Sequence, residues 1–222
     1  MSSSRKPGGP GTADPASEGP GRTPKGAASR EYILDSAARV FAEAGFDRAR
    51  MADLIAATGM TKGAVYFYFD GKESLAVAVL EAKHEQWLAA VRSRLAPLAP
   101  GVERLRGLRA AMVDLHRDHP DAWAVTRLTA SLAEIPSARP RAAALTDAWI
   151  DYVADLVRDA QDETGRRDDV DARLVATTLV GAFDGLKATV GILADGAGRD
   201  RQLAAAGEML ERMLLTYLGI SA

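Results

Sequence analysis

The chain has 222 residues with a formal net charge of −2, and it contains no cysteine. This length allows a sizeable hydrophobic core and one or two domains. The near-neutral charge excludes a globally basic protein, so any charge that contacts nucleic acid must be local, and the lack of cysteine excludes disulfides, thiolate nucleophiles and cysteine-ligated zinc.

Nothing in the sequence indicates export or membrane insertion. The N-terminus lacks the apolar middle segment of a signal peptide, and the chain has no uncharged apolar run of about eighteen residues. We therefore expect a soluble, cytoplasmic protein without a membrane partner.

Residues 1–28 are rich in Gly, Pro and Ser and carry almost no large apolar side chain. Such a segment buries too little surface to offset the entropy of ordering, so it is predicted to be a disordered tail. Its excess of basic residues would allow it to contact DNA phosphates, but a solvated tail without a role is the reading that the composition favours.

A helix-turn-helix pattern follows the tail. An apolar stripe at helical spacing predicts a first helix from residue 29 that ends at Gly45. Residues 52–58 predict a short second helix, and Gly59 suits the left-handed conformation at its end. Thr61 can then cap a third helix through its hydroxyl. Two helices joined by a short turn with glycine place a recognition helix in the major groove of DNA.

The rest of the chain is also helical by its pattern. Helices are predicted over residues 72–95, 102–118, 120–134, 141–163, 169–193 and 200–218, with turns at prolines, at Gly165 and in the GAGRD segment of residues 196–200. The predicted fold is all-α. It has an N-terminal three-helix head with the helix-turn-helix (residues 29–75) and a helical body (residues 76–222).

The segments FDRARMADLI and GMTKGAVY, followed by Phe69, Lys72, Glu73 and Leu75, resemble the TetR family of transcriptional repressors. This resemblance covers about residues 29–80, and the helical body agrees with it in length and class. More specifically, TKGAVYFYF is similar to the recognition helix of the γ-butyrolactone autoregulator receptors of actinobacteria. The pieces RLTASLAEIP, AWIDYV and LVGAFDGL are similar to the body of that subgroup.

The resemblance implies a set of DNA-contacting residues in the head. Lys62 can donate to guanine or to phosphate, and Tyr66 can donate its hydroxyl to phosphate. Lys72 resembles the family's phosphate-contacting lysine, while Val65 and Phe69 are implied to be core residues of the head. The candidate DNA-binding residues are Arg50, Thr61, Lys62, Gly63, Ala64, Tyr66, Tyr68 and Lys72.

Arg50 departs from the family pattern, which usually has Ser or Thr at this position to cap the helix and contact phosphate. Arginine cannot accept a hydrogen bond, so the missing cap is expected to cost about 1 kcal/mol. Its guanidinium could replace the phosphate contact with a stronger one. The sequence leaves both outcomes open.

The resemblance also implies that the body binds a small effector. Trp149 aligns with a tryptophan that lines the pocket of the butyrolactone receptors, and an indole face suits an acyl chain or a lactone ring. Trp123, Thr178 and Phe183 are further candidate effector-binding residues. The alternative for the tryptophans is that they are ordinary core residues.

Family members dimerise through their last two long helices. Residues 174–190 and 203–218 are strongly amphipathic, and Gly181 and Gly185 are spaced so that two helices could approach closely. Burial inside one subunit would explain the same stripe. A two-fold homodimer would bind a double-stranded, pseudo-palindromic operator.

An enzyme is the main alternative class. His116 and His119 lie three apart and could form a metal pair, but no third ligand is evident, and neither a nucleophile elbow nor a phosphate-binding glycine loop is present. We therefore expect neither an enzyme nor a metal or other cofactor. A helical interaction protein without DNA binding is disfavoured by Lys62, Tyr66 and Lys72.

The function implied by the resemblance is a transcriptional repressor that a small molecule, a γ-butyrolactone-type autoregulator, releases from its operator. A TetR-type repressor or pseudo-receptor that senses an antibiotic, a drug or another metabolite is the alternative.

Overall fold

A computed structural model describes residues 23–119, 122–166 and 170–220. As predicted, every regular element in these ranges is an α-helix. In chain order the helices are α1 (Pro24–Arg48), α2 (Met51–Thr58), α3 (Lys62–Tyr68), α4 (Lys72–Leu95), α5 (Val102–Asp118), α6 (Ala122–Ala133), α7 (Arg139–Thr164), α8 (Ala172–Leu193) and α9 (Gly196–Tyr217).

The first helix begins earlier than the sequence pattern indicated. Most of the predicted tail, residues 1–22, lies outside the described residues, but residues 24–28 already belong to α1. Thr23 caps the helix, because its hydroxyl accepts a hydrogen bond from the backbone N–H of Gly26 at 3.1 Å. At the other end, Gly45 has a φ of 74°, which breaks the regular helix where the sequence predicted its end.

The predicted turn over residues 196–200 is wrong. These residues form the start of α9, and the chain reverses at Ala194 and Asp195 instead. The carbonyl of Asp195 accepts the first helical hydrogen bond, from Arg199 N at 3.1 Å. Leu203, one turn further on, is 1% exposed, so packing of α9 against the body stabilises a helix that its glycines disfavour.

Two hydrophobic cores meet along α4. Leu75, Val79 and Leu80 belong to the core of the head, whereas Val91 and Leu95 belong to the core of the body. The predicted domain boundary between residues 75 and 76 therefore falls inside a continuous helix that belongs to both parts.

Helix α6 also belongs to both parts. Leu128 and Leu132 are 5% and 0% exposed and complete the core of the head. Burial of two leucines contributes about 1.5–3 kcal/mol each. In addition, the guanidinium of Arg127 donates to the carbonyl of Ala42 in the last turn of α1 at 2.8 Å. The head is thus held by a helix that is distant from it in sequence.

By length and composition alone, α8 is apolar enough to cross a membrane, with a mean hydropathy of 1.2. Its inward face, with Val180 and Phe183, belongs to the core of the body, and the helix also carries Asp184 and Lys187. Its outward face is apolar as well and is a candidate contact surface.

Candidate DNA-binding surface and effector cavity

The turn between α2 and α3 has the predicted geometry. Gly59 adopts a left-handed conformation with a φ of 63° at the end of α2. The hydroxyl of Thr61 accepts a hydrogen bond from the backbone N–H of Ala64 at 3.2 Å, which caps α3. These two residues fix the start and the direction of α3.

Helix α3 separates a buried face from an exposed one. Val65 is fully buried in the head, and Phe69, just beyond the helix, is 4% exposed, as the resemblance implied for both. Lys62, Gly63 and Tyr66 lie on the exposed face, with the Lys62 ammonium 5.6 Å from the centroid of the Tyr66 ring. A cation next to a ring with a polar hydroxyl suits contact with a nucleic-acid backbone.

Two aromatic residues of α3 are placed differently from the prediction. Tyr68 is half-buried against the core of the head, with its ring 5.1 Å from that of Phe67, so its ring packs rather than projecting like Tyr66. Phe67 is 62% exposed beside Tyr66 and was not among the predicted contacts. Ala64 is half-buried at the edge of the same face.

Lys72 has a structural role in addition to the predicted one. Its ammonium donates to the carbonyls of Phe46 at 2.9 Å and Asp47 at 3.4 Å, and it lies 4.3 Å from the centroid of the Phe46 ring. These contacts hold the last turn of α1, which follows the break at Gly45, against the start of α4. An ammonium has three N–H donors, so one remains for a phosphate.

Arg50 is an exposed N-cap residue whose side chain makes no capping hydrogen bond. The carboxylate of Asp53 accepts from the backbone N–H of Arg50 at 3.2 Å, which provides half of a capping box. Because Asp53 also lies in the first turn of α2, its negative charge favours the helix dipole and offsets part of the missing cap. The guanidinium stays available to a phosphate.

The body contains a cavity of about 360 Å³ beneath α6 that is partly open to solvent, where Ala130 in its wall is exposed. Helices α4, α5, α6, α7 and α8 supply its walls, which are apolar for the most part. The lining residues are His84, Trp87, Met112, His116, Ala122, Val125, Thr126, Thr129, Ala130, Ala133, Thr146, Trp149, Val180, Asp184 and Lys187.

Of the four predicted effector residues, the structure places only Trp149 in this wall. Its ring centroid is 4.1 Å from that of Trp87, and the two indoles cross edge to face. Phe183 lines a smaller neighbouring cavity that Trp149 also borders.

The other two predicted residues lie elsewhere. Trp123 packs against His116 and under the guanidinium of Arg199, at 5.6 and 4.2 Å, and is not part of the cavity wall. Thr178 is a correction: it lies on the exposed side of α8, where its hydroxyl donates to the carbonyl of Leu174 at 2.9 Å. Helical periodicity points it away from Val180 and Lys187, which face the cavity.

A buried lysine paired with a part-exposed carboxylate in the cavity wall was not predicted. The ammonium of Lys187, a residue only 7% exposed, lies 2.7 Å from the carboxylate of Asp184 and also donates to the hydroxyl of Thr126. Burial lowers the pKa of Lys187, and the carboxylate of Asp184 opposes that effect. The signal in the sequence was a Lys and an Asp three residues apart on an otherwise apolar stripe of α8.

Two histidines also line the cavity. His116 is 3% exposed, and its Nδ1–H donates to the carbonyl of Met112 at 2.7 Å. Burial, assisted by the nearby charge of Lys187, lowers the pKa of His116 to about 4. Burial likewise lowers the pKa of His84, although a hydrogen bond to the backbone of Leu145 opposes this effect. Both rings are therefore neutral at pH 7.

The suggested metal pair does not form, since His116 is buried in the cavity wall whereas His119 is exposed at the surface. Within the part of the chain that the structure describes, no group of three or more His, Asp or Glu side chains could hold a metal ion.

The sequence matches families of known regulators over both of its parts. Residues 33–79 match the bacterial regulatory proteins of the tetR family. Residues 101–215 match the C-terminal region of BetI-type transcriptional repressors.

Individual proteins extend this similarity. The HTH-type transcriptional repressor Rv1474c of Mycobacterium tuberculosis is 33% identical over 195 residues, which are 83% of this chain and 92% of that protein. The A-factor receptor protein of Streptomyces griseus is 26% identical over 155 residues, which are 70% of this chain and 52% of that protein. FadR of Bacillus subtilis, solved in complex with stearoyl-CoA, shares the fold with a TM-score of 0.71 at 18% identity, over 84% of this chain and 97% of that chain.

The low pKa of His116 predicts a pH-dependent stability. The folded protein keeps His116 neutral down to about pH 4, whereas the unfolded chain takes up a proton near pH 6.5. Between these values the unfolded state binds more protons, so the free energy of unfolding falls as the pH falls. From pH 7 to pH 5 we expect His116 to contribute a loss of about 2 kcal/mol.

Urea unfolding at both pH values, at one fixed protein concentration, measures this loss. His116→Phe keeps the ring packing and should be less sensitive to acid than the wild type by that amount. His119→Gln, at an exposed position, is the matched control and should behave as the wild type. Equal acid sensitivity of His116→Phe and the wild type would contradict the assignment.

Proposed function

This chain belongs to the TetR family of bacterial regulatory proteins, and we propose that it is a cytoplasmic, homodimeric repressor that a small molecule of the γ-butyrolactone type releases from a pseudo-palindromic operator. The observation that carries the proposal is the position of α6. One face of this helix forms the roof of the cavity, and an adjacent face completes the core of the head.

The exposed face of α3 is the proposed recognition surface. It presents Lys62, Gly63 and Tyr66, and a Cβ at Gly63 would meet nothing within 4 Å, so the backbone can approach the bases closely. Thr61 and Ala64 border this face, while Arg50 and Lys72 flank it with positive charge. Phe67 adds an exposed apolar side chain that suits a thymine methyl group.

The outward faces of α8 and α9 support a dimer. Their large apolar side chains are more than half exposed in a single chain, namely Leu174, Ile192, Leu193, Met209, Met213 and Tyr217. Gly181 and Gly185 are exposed between them, and a Cβ at either glycine would meet nothing within 4 Å. Burial inside one subunit therefore does not account for these glycines, whereas close approach of a second copy does.

Repression and release follow from a shift between two arrangements of the dimer. In the ligand-free form, both heads are held about one turn of DNA apart, so both recognition helices enter the major groove. A ligand that fits a displaced α6 better moves Leu128, Leu132 and the bond from Arg127 to α1 together with the helix. The equilibrium then shifts away from the DNA-competent arrangement. The size of this shift is limited by the ratio of the ligand's affinities for the two arrangements.

The size and polarity of the cavity support the type of effector. A volume of about 360 Å³ with indole walls and a few polar groups suits an acyl lactone of moderate chain length. The similarity to the A-factor receptor protein points in the same direction. The alternative is a family member that responds to an antibiotic, a drug or another metabolite. The release experiment with the lactone separates these two kinds of repressor.

We expect the protein to retard DNA from the region upstream of its own gene in a gel shift, and a 2-acyl-γ-butyrolactone to abolish the retardation. Ala130→Phe fills the cavity from α6 and should keep the retardation but lose the response to the lactone. Ala144→Phe, exposed on α7 outside the cavity, is the matched control and should respond normally.

Retardation that the lactone does not change would keep the assignment as a repressor and exclude a butyrolactone as its effector.

Lys62→Ala tests the DNA surface in the same assay and should reduce the slope of log K against log salt by about one unit. An unchanged slope would exclude a phosphate contact by Lys62.

Gly185→Leu tests the dimer surface. In one chain the substitution improves helix propensity by up to about 1 kcal/mol, because glycine disfavours a helix interior. In the dimer it inserts two side chains between closely packed helices, which costs about 1–3 kcal/mol for each side chain. We therefore expect the dissociation constant of the dimer to rise roughly a hundredfold. Sedimentation velocity over a concentration series measures the change.

Ala89→Leu, exposed on α4, is the control and should leave the dimer unchanged. A Gly185→Leu protein that dimerises as tightly as the wild type would exclude this face as the interface.

A further inference from the structure

The cavity carries polar groups in two separate regions of an otherwise apolar wall. From this arrangement we infer that it selects an uncharged effector with two polar ends, a hydrogen-bond acceptor held by Lys187 and a hydrogen-bond donor held by His84. The inference rests on the proposed function, because it names the chemical class of the same effector.

The first polar region offers a hydrogen-bond donor. Two of the three N–H groups of the Lys187 ammonium have partners among the described residues, the carboxylate of Asp184 and the hydroxyl of Thr126. Since Lys187 lines the cavity, its third N–H is available to a guest. A carbonyl oxygen, as in a ketone, ester or lactone, is the matching group.

The second polar region offers a hydrogen-bond acceptor. Nε2 of His84 is buried and has no hydrogen-bond partner among the described residues, although His84 lines the cavity. The ring is hydrogen-bonded to the backbone of Leu145, which leaves Nδ1 as the donor nitrogen. In the neutral ring Nε2 is then an acceptor, and a hydroxyl of the effector is the matching group.

The connections between the helices place these regions at opposite ends of α6. Thr126, the partner of Lys187, lies near the N-terminal end of α6, where the chain arrives from α5. His84 contacts Leu145 near the start of α7, which follows the C-terminal end of α6. The stretch of α6 from Thr126 to Ala133, the last residue of this helix in the cavity wall, rises about 10 Å, and we take this length as the separation of the two polar groups of the effector.

The charges in the wall favour an uncharged guest. Lys187 is already neutralised by Asp184, so an anionic guest would lie against the carboxylate of Asp184 and a cationic guest against the ammonium of Lys187. The cost of bringing either charge into the cavity has no compensating partner. Between the ends, Trp87, Trp149 and Val180 supply an apolar surface for a hydrocarbon chain.

A set of simple probes tests this inference without any lactone. The probe 10-hydroxydecan-2-one carries a hydroxyl and a ketone at the required separation. Decan-2-one lacks the hydroxyl, and decan-1-ol lacks the ketone. In 10-hydroxydecanoate a carboxylate replaces the ketone. Two of the three tryptophans of the chain, Trp87 and Trp149, lie in the cavity wall, so intrinsic fluorescence of the full-length protein reports binding.

We expect the hydroxyketone to bind about fivefold more tightly than decan-2-one and than decan-1-ol, since each lost hydrogen bond weakens binding by this order. The carboxylate should bind most weakly of the four. His84→Asn keeps a donor for Leu145 but loses the acceptor, so it should bind the hydroxyketone and decan-2-one equally well. His84→Gln places an amide oxygen near the position of Nε2 and should restore the preference.

Lys187→Met tests the other end of the cavity. The side chain of Asp184 is 43% exposed, so the carboxylate stays solvated when its partner is removed. This variant should bind the hydroxyketone and decan-1-ol equally well. Ala144→Ser, exposed on α7 outside the cavity, is the control and should keep both preferences.

Equal affinity of the wild type for all three neutral probes, or no binding of any of them, would overturn the inference. So would a preference that survives in both His84→Asn and Lys187→Met. These outcomes leave the proposed function intact if the lactone still releases DNA in the gel shift. A hydroxyketone that binds with the expected preferences beside a lactone that does not release DNA would instead keep the inference and remove the lactone effector.

Discussion

The structure depends on one constraint, the packing of α6 on two sides at once. Leu128 and Leu132 are buried in the core of the head, while Thr126, Thr129 and Ala130 border the cavity on an adjacent stripe of the same helix. Protein interiors are close-packed, so a change of shape under one face of α6 cannot be absorbed locally and is passed to the other. The hydrogen bond from Arg127 to Ala42 extends this connection to α1. The continuous helix α4 extends it to the residues that follow α3. In the proposed mechanism, the single helix α6 links what the cavity contains to the orientation of the head.

The polar groups in the cavity wall cost folding free energy but can select a ligand. Burial of the ammonium of Lys187, and of Nε2 of His84 without a hydrogen-bond partner among the described residues, lowers the free energy of unfolding. Such groups are consistent with a binding site, because they distinguish an effector by its hydrogen bonds rather than by its apolar volume. The same reasoning explains why Trp149 alone is insufficient to name a ligand: an indole face accepts many hydrocarbon groups.

The features that could be predicted from the sequence are local ones. Gly59 and Thr61 act through their own backbone geometry and hydroxyl, so the turn and the start of α3 follow directly from residue type. Features set by tertiary packing were not predicted. Residues 196–200 look like a turn by composition but are helical because α9 packs on the body. Thr178 was a candidate effector-binding residue but faces outward. His84 has no local signature, and the spacing of Asp184 and Lys187 on an apolar stripe does not by itself indicate a cavity, since only the assembled helices bring these side chains together.

The absence of cysteine allows a direct test of the central claim, that an effector in the cavity moves the heads through α6. Single cysteines introduced at Glu43 in the head or at Asp155 in the body, both exposed, would carry one spin label per subunit of the dimer. Distances measured by pulsed electron spin resonance, with operator DNA and with a molecule that releases it, report the separation of the two heads or the two bodies. We expect the distance between the heads to change by several ångströms on release, while the distance between the bodies stays the same. A distance between the heads that is the same in both states, although the DNA is released, would contradict the central claim.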